Sequence, residues 1–366
     1  MKTATLFEPL NLRSLNVVHR GWVSPMCQYS CDPVQAPGVP NDWHLVHLGS
    51  FATGGAALII AESTAVNPEG RISPRDTGLW NDAQVEAWQR ITHFVHEHSQ
   101  GAVIGIQLGH AGRKGATYPP TTGPDGTVPA SAGGWQTLGP TAAAFGHYSA
   151  PLAMTAQQIL AVIEDFAEAA ARAVAAGFDL IEIHGAHGYL VDSFRSPLVN
   201  LRTDEWGGTD RKRLKLPLAI IDAVRAKIPD TMPLIVRISA TDWDDIEGDL
   251  QRSVQFAKLA KERGVDLIDV SAGGNLPNPN ISSGPGYQTS FAARIRVEAD
   301  IPVGTVGAIT DAFQAEHILR TGQADGIFIA RAALADPRWW HRAARRLGHD
   351  LPWVPQYNWP QPQKTY

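Results

Sequence analysis

Cysteine is nearly absent from this chain: Cys27 and Cys31 are the only two in 366 residues. Two thiols cannot build a disulfide framework, and a reducing, cytoplasmic home is the natural expectation. Long apolar runs are missing too. The longest are about strand length, well short of the ~20 residues a membrane span needs. The first residues, Met1-Lys-Thr-Ala-Thr-Leu-Phe-Glu8, lack the apolar core of a secretion signal. No cluster of Lys and Arg stands out, and the formal net charge is -5. That balance gives no footing for nucleic-acid binding. No Gly-x-Gly-x-x-Gly or phosphate-loop pattern follows any strand candidate, which removes the usual sign of a dinucleotide-binding sheet.

What is present is alternation. Apolar, strand-like runs lie at 21–26, 56–62, 103–108, 178–184, 233–238, 265–271, 302–306 and 326–330. Helical periodicity fills 82–98, 155–177, 211–228, 249–264 and 311–322. Thr155 and Asp311 sit where N-caps belong, and Gly177, Gly264 and Gly322 sit just past helix ends. Eight buried strands with intervening helices predict an α/β fold, a single (β/α)8 TIM barrel over residues 1–350. Two segments break the rhythm, 115–151 after the third strand and 273–286 after the sixth. Loops of that length are usually binding loops or lids, and both follow strand C-termini, the face where barrels build active sites. A C-terminal tail, 351–366, carries Trp353, Tyr357 and Trp359 and is too apolar for a solvated end. It is expected to pack on the barrel or on a neighbouring subunit.

The strand ends carry the chemistry. The fourth strand runs out through Asp179-Leu-Ile-Glu-Ile-His184-Gly-Ala-His187-Gly-Tyr189. Two imidazoles three positions apart can converge on one electronegative atom, and a nearby phenol can give or take a proton. Such a group could polarise a carbonyl and protonate its neighbour, or hold a metal. No third ligand of the right type lies close in sequence. The other strands end in Pro25-Met26-Cys27-Gln28-Tyr29, in Gln107 through Arg113-Lys114, and in Arg237, Val306-Gly307 and Arg331. Gln107 and Arg237 suit an organic anion better than a metal. Phosphates in barrels commonly sit after strands seven and eight, where Gly307 admits a close backbone approach and Arg331 offers a bidentate fork. A phosphorylated ligand or cofactor is therefore expected. Arg113 and Lys114 could equally be a solvated turn, and Glu62 a buried charge without a ligand role.

These segments resemble the Old Yellow Enzyme family of FMN-dependent ene-reductases, most of all its branch of xenobiotic reductases and thermophile-type enzymes. The likeness runs along nearly the whole chain. It includes Ser24-Pro-Met-Cys-Gln-Tyr29, Ala65-Val-Asn-Pro-Glu-Gly-Arg-Ile72, Gly105-Ile-Gln-Leu-Gly-His-Ala-Gly-Arg-Lys114 and His184-Gly-Ala-His-Gly-Tyr-Leu190. It goes on through Arg237-Ile-Ser-Ala240, Gly284-Pro-Gly-Tyr-Gln288 and Ile327-Phe-Ile-Ala-Arg331. The resemblance implies a non-covalent FMN whose ring lies against Ser24, Pro25, Met26, Cys27 and Ser63. It implies that Gln107 bonds the pyrimidine edge, that Arg237 sits near N1, and that the phosphate lies on Val306, Gly307, Ala330 and Arg331. His184 and His187 would hold a substrate carbonyl, with Cys27 and Tyr29 beside it. NADPH or NADH would deliver hydride to the flavin, which would pass it to the activated C=C bond of an α,β-unsaturated carbonyl (or nitro) compound. Tyr189 would then protonate the neighbouring carbon. The alternative is a lyase or aldolase barrel that uses the histidine pair without flavin.

Three departures from the family pattern matter. His19-Arg-Gly-Trp22 replaces the usual Asn-Arg-Ile start, and Ala330 replaces a glycine, adding a methyl beside the expected phosphate. The tail reads Pro355-Gln-Tyr357-Asn-Trp359, with no arginine where the thermophile-type relatives have one. Trp359 is similar to the tryptophan that the xenobiotic reductases place there. That implies a homodimer, or a dimer of dimers, whose tails cross so that Trp359 lines the neighbouring pocket.

Overall fold

Eight parallel strands close into a barrel in the computed structural model, whose described residues are 4–120 and 122–359. In chain order they are β1 (Gly21–Val23), β2 (Leu58–Ala65), β3 (Val103–Gly109), β4 (Leu180–Gly185), β5 (Leu234–Ser239), β6 (Leu267–Ser271), β7 (Val303–Thr305) and β8 (Gly326–Ile329). Each pairs with its neighbours in sequence, and β8 closes on β1 through Phe328 and Trp22. The outer helices are α1 (Asp42–Thr53), α2 (Asp82–His98), α3 (Ala156–Ala175), α4 (Lys215–Lys227), α5 (Ile246–Glu262), α6 (Thr289–Ala299), α7 (Ala312–Arg320) and α8 (Trp339–Arg346). The expected barrel is therefore present, with strand bounds within a few residues of those read from the sequence. A two-stranded antiparallel hairpin, Leu10–Leu12 with Leu15–Val17, precedes it, and Leu12 and Val17 join the cluster inside the barrel.

Helix limits follow local chemistry. Thr155 accepts from Gln158 N while the Gln158 side chain reaches back, a full capping box, and Asp311 caps α7 through Phe313 N and Gln314 N. Gly177, Gly264 and Gly322 all take φ between 70° and 84°, the left-handed value a helix stop requires. The single helix expected over 211–228 is instead split into Asp210–Arg213 and α4. Pro217 has no N–H to return to the carbonyl of Arg213, so the first turn stands apart.

Alternation along the strands builds two separate cores. Outward residues such as Ile181, Ile183 and Val236 pack under the helices, while Leu180, Ile235, Leu267, Leu58, Ile60, Trp22 and Phe328 fill the barrel. Trp22 needs Gly326 opposite, because a Cβ there would lie 2.0 Å from the indole ring. Above this apolar plug the same inward columns turn polar: Gln107 on β3, Glu182 on β4, Arg237 on β5 and Asp269 on β6, all buried. In β2 the register shifts between Ala61 and Ser63, so Glu62 is an extra, bulged residue.

His19 has a packing role. Its Nε2 lies 2.8 Å from Gly55 O, its Nδ1 accepts from Gly21 N, and burial lowers its pKa to about 4. At the C-terminal end, Trp353 stacks on His341 with ring centroids 3.5 Å apart, and Val354 is buried. The tail up to Trp359 thus begins on its own barrel, while 360–366 lie outside the described residues. Among the described residues no helix is long and apolar enough to cross a membrane.

Candidate active site

The C-terminal mouth of the barrel gathers the predicted residues in two tiers. The lower tier lines the throat. Arg237 donates from Nη1 to Ser24 Oγ at 3.0 Å, and its Nε lies 3.2 Å from Asp269 Oδ2. Gln107 donates from Nε2 to Glu182 Oε1 at 2.7 Å. Arg237 is 6% exposed, so its fixed charge acts in a poorly screened site.

The upper tier is the turn after β4. The rings of His184 and His187 meet edge to face with centroids 5.1 Å apart, and Tyr189 packs on His184 at 5.0 Å. Burial holds both imidazoles well below the ordinary histidine range, and the nearby Arg237 and Lys114 charges add to it. Both rings are therefore neutral at pH 7. Burial pushes the Tyr189 phenol up, and the neighbouring Cys27 and Asp76 push it further, so it keeps its proton. His184 Nδ1 is buried and has no partner among the described residues, and is thus available to a ligand.

The turn itself is strained and clasped. His187 sits at φ 62°, a left-handed conformation uncommon for a bulky residue. Ser239, at the end of β5, accepts from His187 N at 2.9 Å and donates to Gly273 O at 2.6 Å. Ser271, at the end of β6, lies 2.8 Å from His187 Nε2. Gly188 N donates to Asp192, whose Oδ2 also accepts from Asn275. Arg113 and Lys114 prove not to be a solvated turn. Lys114 Nζ donates to His187 O at 2.8 Å and Gly274 O at 3.0 Å, and lies 5.3 Å from the Tyr189 ring. Arg113 donates to Asn275 O and Ala144 O, fastening both long loops to the histidine turn. None of Ser239, Ser271, Asp192 or Asn275 was singled out from the sequence. The signal was there for two of them: Ser239 and Ser271 lie two residues beyond Arg237 and Asp269, on the same inward columns.

Cys27 and Tyr29 face the same tier. Tyr29 and the Ser63 backbone hydrogen-bond to the Cys27 thiol, while burial and the carboxyls of Asp76 and Glu62 push the thiol pKa well up. A protonated thiol is a poor nucleophile. Glu62 fixes this loop: its bulged side chain accepts from Gln28 N at 2.9 Å and faces His44 Nε2 at 3.4 Å. The phosphate position also has the right components. Gly307 takes φ 128°, and a Cβ there would lie 2.9 Å from both Gln288 and Tyr287, so the backbone stays open only as glycine. Beside it Arg331 is exposed and has no carboxylate partner among the described residues. Ala330 takes φ −111°, so the position does not call for the left-handed freedom of glycine. A free guanidinium, an open backbone and an uncommitted imidazole together fit a flavin mononucleotide lying across the mouth.

A family model described as NADH:flavin oxidoreductase / NADH oxidase matches residues 5–350. The chain belongs to this family. Among relatives of this flavin oxidoreductase, the NADPH dehydrogenase of Bacillus subtilis (strain 168) is 44% identical over 353 residues, covering 96% of this chain and 98% of the relative. A solved structure of morphinone reductase in complex with tetrahydroNAD is 26% identical with a TM-score of 0.76, covering 95% of this chain and 92% of that one. The old yellow enzyme homologue from Zymomonas mobilis is 27% identical, also with a TM-score of 0.76, covering 95% and 94%. The protein is thus a flavin-dependent NAD(P)H oxidoreductase with FMN as cofactor. Its family decides the question left open by the histidine pair in favour of a flavin barrel over a lyase or aldolase. A cavity of about 1130 Å³ also lies outside the barrel wall between α4 and α5, lined by Arg195, Lys215, Asp242 and Arg252. Charges of both signs line it, and it is separate from the flavin seat.

Proposed function

We propose that this oxidoreductase reduces the activated C=C bond of α,β-unsaturated carbonyl compounds at the expense of NADPH or NADH. Bound FMN supplies the hydride transfer. The chain does the rest. Gln107, Arg237 and Ser24 hold the polar edge of the ring, with Pro25, Met26, Cys27 and Ser63 against it, and Val306, Gly307, Ala330 and Arg331 take the phosphate. His184 and His187 each donate a hydrogen bond to the substrate carbonyl oxygen, stabilising negative charge as it develops there. Tyr189 supplies the proton to the carbon next to that carbonyl.

The observation that carries this reading is the packing of two neutral imidazoles and a protonated phenol on one strand end. Neutral rings suit the task, because each has one N–H to give and no charge to pull the carbonyl out of register. The relatives named NADPH dehydrogenase and the tetrahydroNAD complex support a nicotinamide donor. The reading is tested by anaerobic reduction with NADPH or NADH followed by a cyclic enone. The flavin colour should bleach, then return with one saturated ketone formed per flavin. Reoxidation by oxygen but by no enone, nitroalkene or maleimide would overturn it.

The tail extends the proposal to a homodimer. Trp359 is 77% exposed, so its ring is open to another surface. We place it over the substrate pocket of a second copy, in keeping with the xenobiotic-reductase pattern of the tail. Trp359→Ala should then alter the relative kcat/KM for small and bulky enones by at least about tenfold, the scale of a single buried methylene. Unchanged substrate preference, with an unchanged mass in sedimentation, would count against a crossing tail.

A further inference from the structure

One buried carboxyl of the throat has no part in the chemistry above. Glu182 is fully buried beneath the histidine turn, two residues before His184 on the same inward column of β4. Its neighbours in register are Gln107 on β3 and Ile235 on β5. Oε1 accepts from Gln107 Nε2 at 2.7 Å, whereas Oε2 has no partner among the described residues. The charged groups that face it are Arg237 from β5 and Asp269 from β6. Just past β1 lies the uncharged Ser24, bonded to Arg237, and below lies the apolar plug of Leu180, Ile235 and Phe328.

We propose that Glu182 is a positioning residue for the flavin seat: it fixes which way the Gln107 amide faces, and its ionisation sets how much of Arg237's charge is felt at the mouth. The inference rests on the seating of flavin against Gln107 and Arg237. The first half follows from the hydrogen bond. Gln107 gives one N–H to Glu182 Oε1 and so presents its carbonyl oxygen and second N–H to the mouth, a sense that an ionised, acceptor-only Glu182 enforces most strongly. The second half follows from charge. Asp269 already lies 3.2 Å from the guanidinium. A second negative charge in the same dry throat would leave the three groups net negative and oppose electron density on a ring above. Burial and the neighbouring Asp269 push the Glu182 carboxyl up to about 8. Burial raises Asp269 as well, to about 6, so near pH 7 the two carboxyls together carry less than their full two negative charges and gain the rest as pH rises.

The test compares wild type with Glu182→Gln, which keeps the acceptor but cannot ionise, and Glu182→Leu, which removes both functions. The midpoint potential of bound FMN is measured by dye equilibration from pH 6 to 9, and FMN affinity by fluorescence of the released flavin. Wild type should show an extra fall of potential near pH 8 that Glu182→Gln lacks. At pH 9 the variant should favour reduced flavin about tenfold more, which is about 30 mV for two electrons. Glu182→Gln should bind FMN as wild type does, and Glu182→Leu about tenfold more weakly. Parallel potential curves with flavin fully bound would overturn the proposal while leaving the seat intact. Failure of wild type to take up FMN would overturn the seat and this inference with it. Should the variants not fold, difference infrared of isotope-labelled Glu62→Gln, which removes the other buried glutamate raised to about 8, decides. A protonated carboxyl band at pH 7 that is lost by pH 9 supports the proposal, and its absence at pH 7 overturns it.

Discussion

Tyr189→Phe is expected to slow reoxidation of the reduced enzyme by an enone by about 10²–10⁴-fold, the usual contribution of a positioned proton donor. Reduction of the flavin by NADPH should change by no more than about threefold, because that half-reaction asks no proton of the phenol. The substitution is mild for the fold. Phenylalanine keeps the ring that packs on His184 at 5.0 Å and lies beneath Lys114. Only the hydroxyl goes. Its proton is secure at working pH, since burial and the neighbouring Cys27 and Asp76 raise the phenol further above neutrality. Two other protonated groups share the tier, the Cys27 thiol and the Tyr29 phenol, both pushed up by burial. If Tyr29 acts as a substitute donor, the double variant with Tyr29→Phe should lose activity well beyond the single one. Stopped-flow traces of the two half-reactions, taken separately, make the measurement. Equal losses in both would remove Tyr189 from the role of acid.

How much of this was legible in the sequence depends on the distance over which residues act. The strands were readable because each is a short apolar run, and β4, β5 and β6 fall within two residues of their expected bounds. Local capping was equally plain at Thr155 and Asp311. Helix α1 was missed because its pattern is inverted. His44 is buried against Glu62 while Trp43 and Val46 are exposed, so the buried stripe of Leu48, Phe51 and Ala52 does not stand out in the sequence. Helix α8 was missed for a related reason, since charged residues fill a short helix whose buried face is Trp339, Trp340 and two alanines. At the site, His184, His187, Tyr189, Gln107 and Arg237 could be found because strand ends point side chains in a known direction. The clasp could not. Arg113 meets Asn275 and Lys114 meets Gly274 across some 160 positions, and nothing local in either loop announces the other. Glu62 was hidden differently: only the bulge in β2 re-aims it toward the Cys27 loop.

That clasp makes the second strong expectation concern a residue with no side chain. Gly274 takes φ 124°, and a Cβ on it would lie 2.1 Å from the carbonyl carbon of His187 and 2.3 Å from its Cα. The fit is mutual, because a Cβ on Gly188 would lie 2.1 Å from Gly274 O. Both obstacles are backbone, so no side-chain rotation relieves them. Gly274→Ala must therefore push the loop after β6 and the histidine turn apart, breaking the two hydrogen bonds from Lys114. A shift of about 1 Å in His187 is enough to cost roughly 100-fold in the enone step, since the imidazole must meet a carbonyl oxygen at hydrogen-bond distance. Strain of about 1–3 kcal/mol should also appear as a lower melting temperature. Flavin binding should survive, because the far end of the loop is tied independently by Gly286 N to Gly307 O. Gly284→Ala is the matched control on the same loop: its added methyl meets nothing within 4 Å, so it should leave turnover and stability unchanged. If Gly274→Ala turns over enones within about threefold of Gly284→Ala, the two loops are not what holds His187 in place.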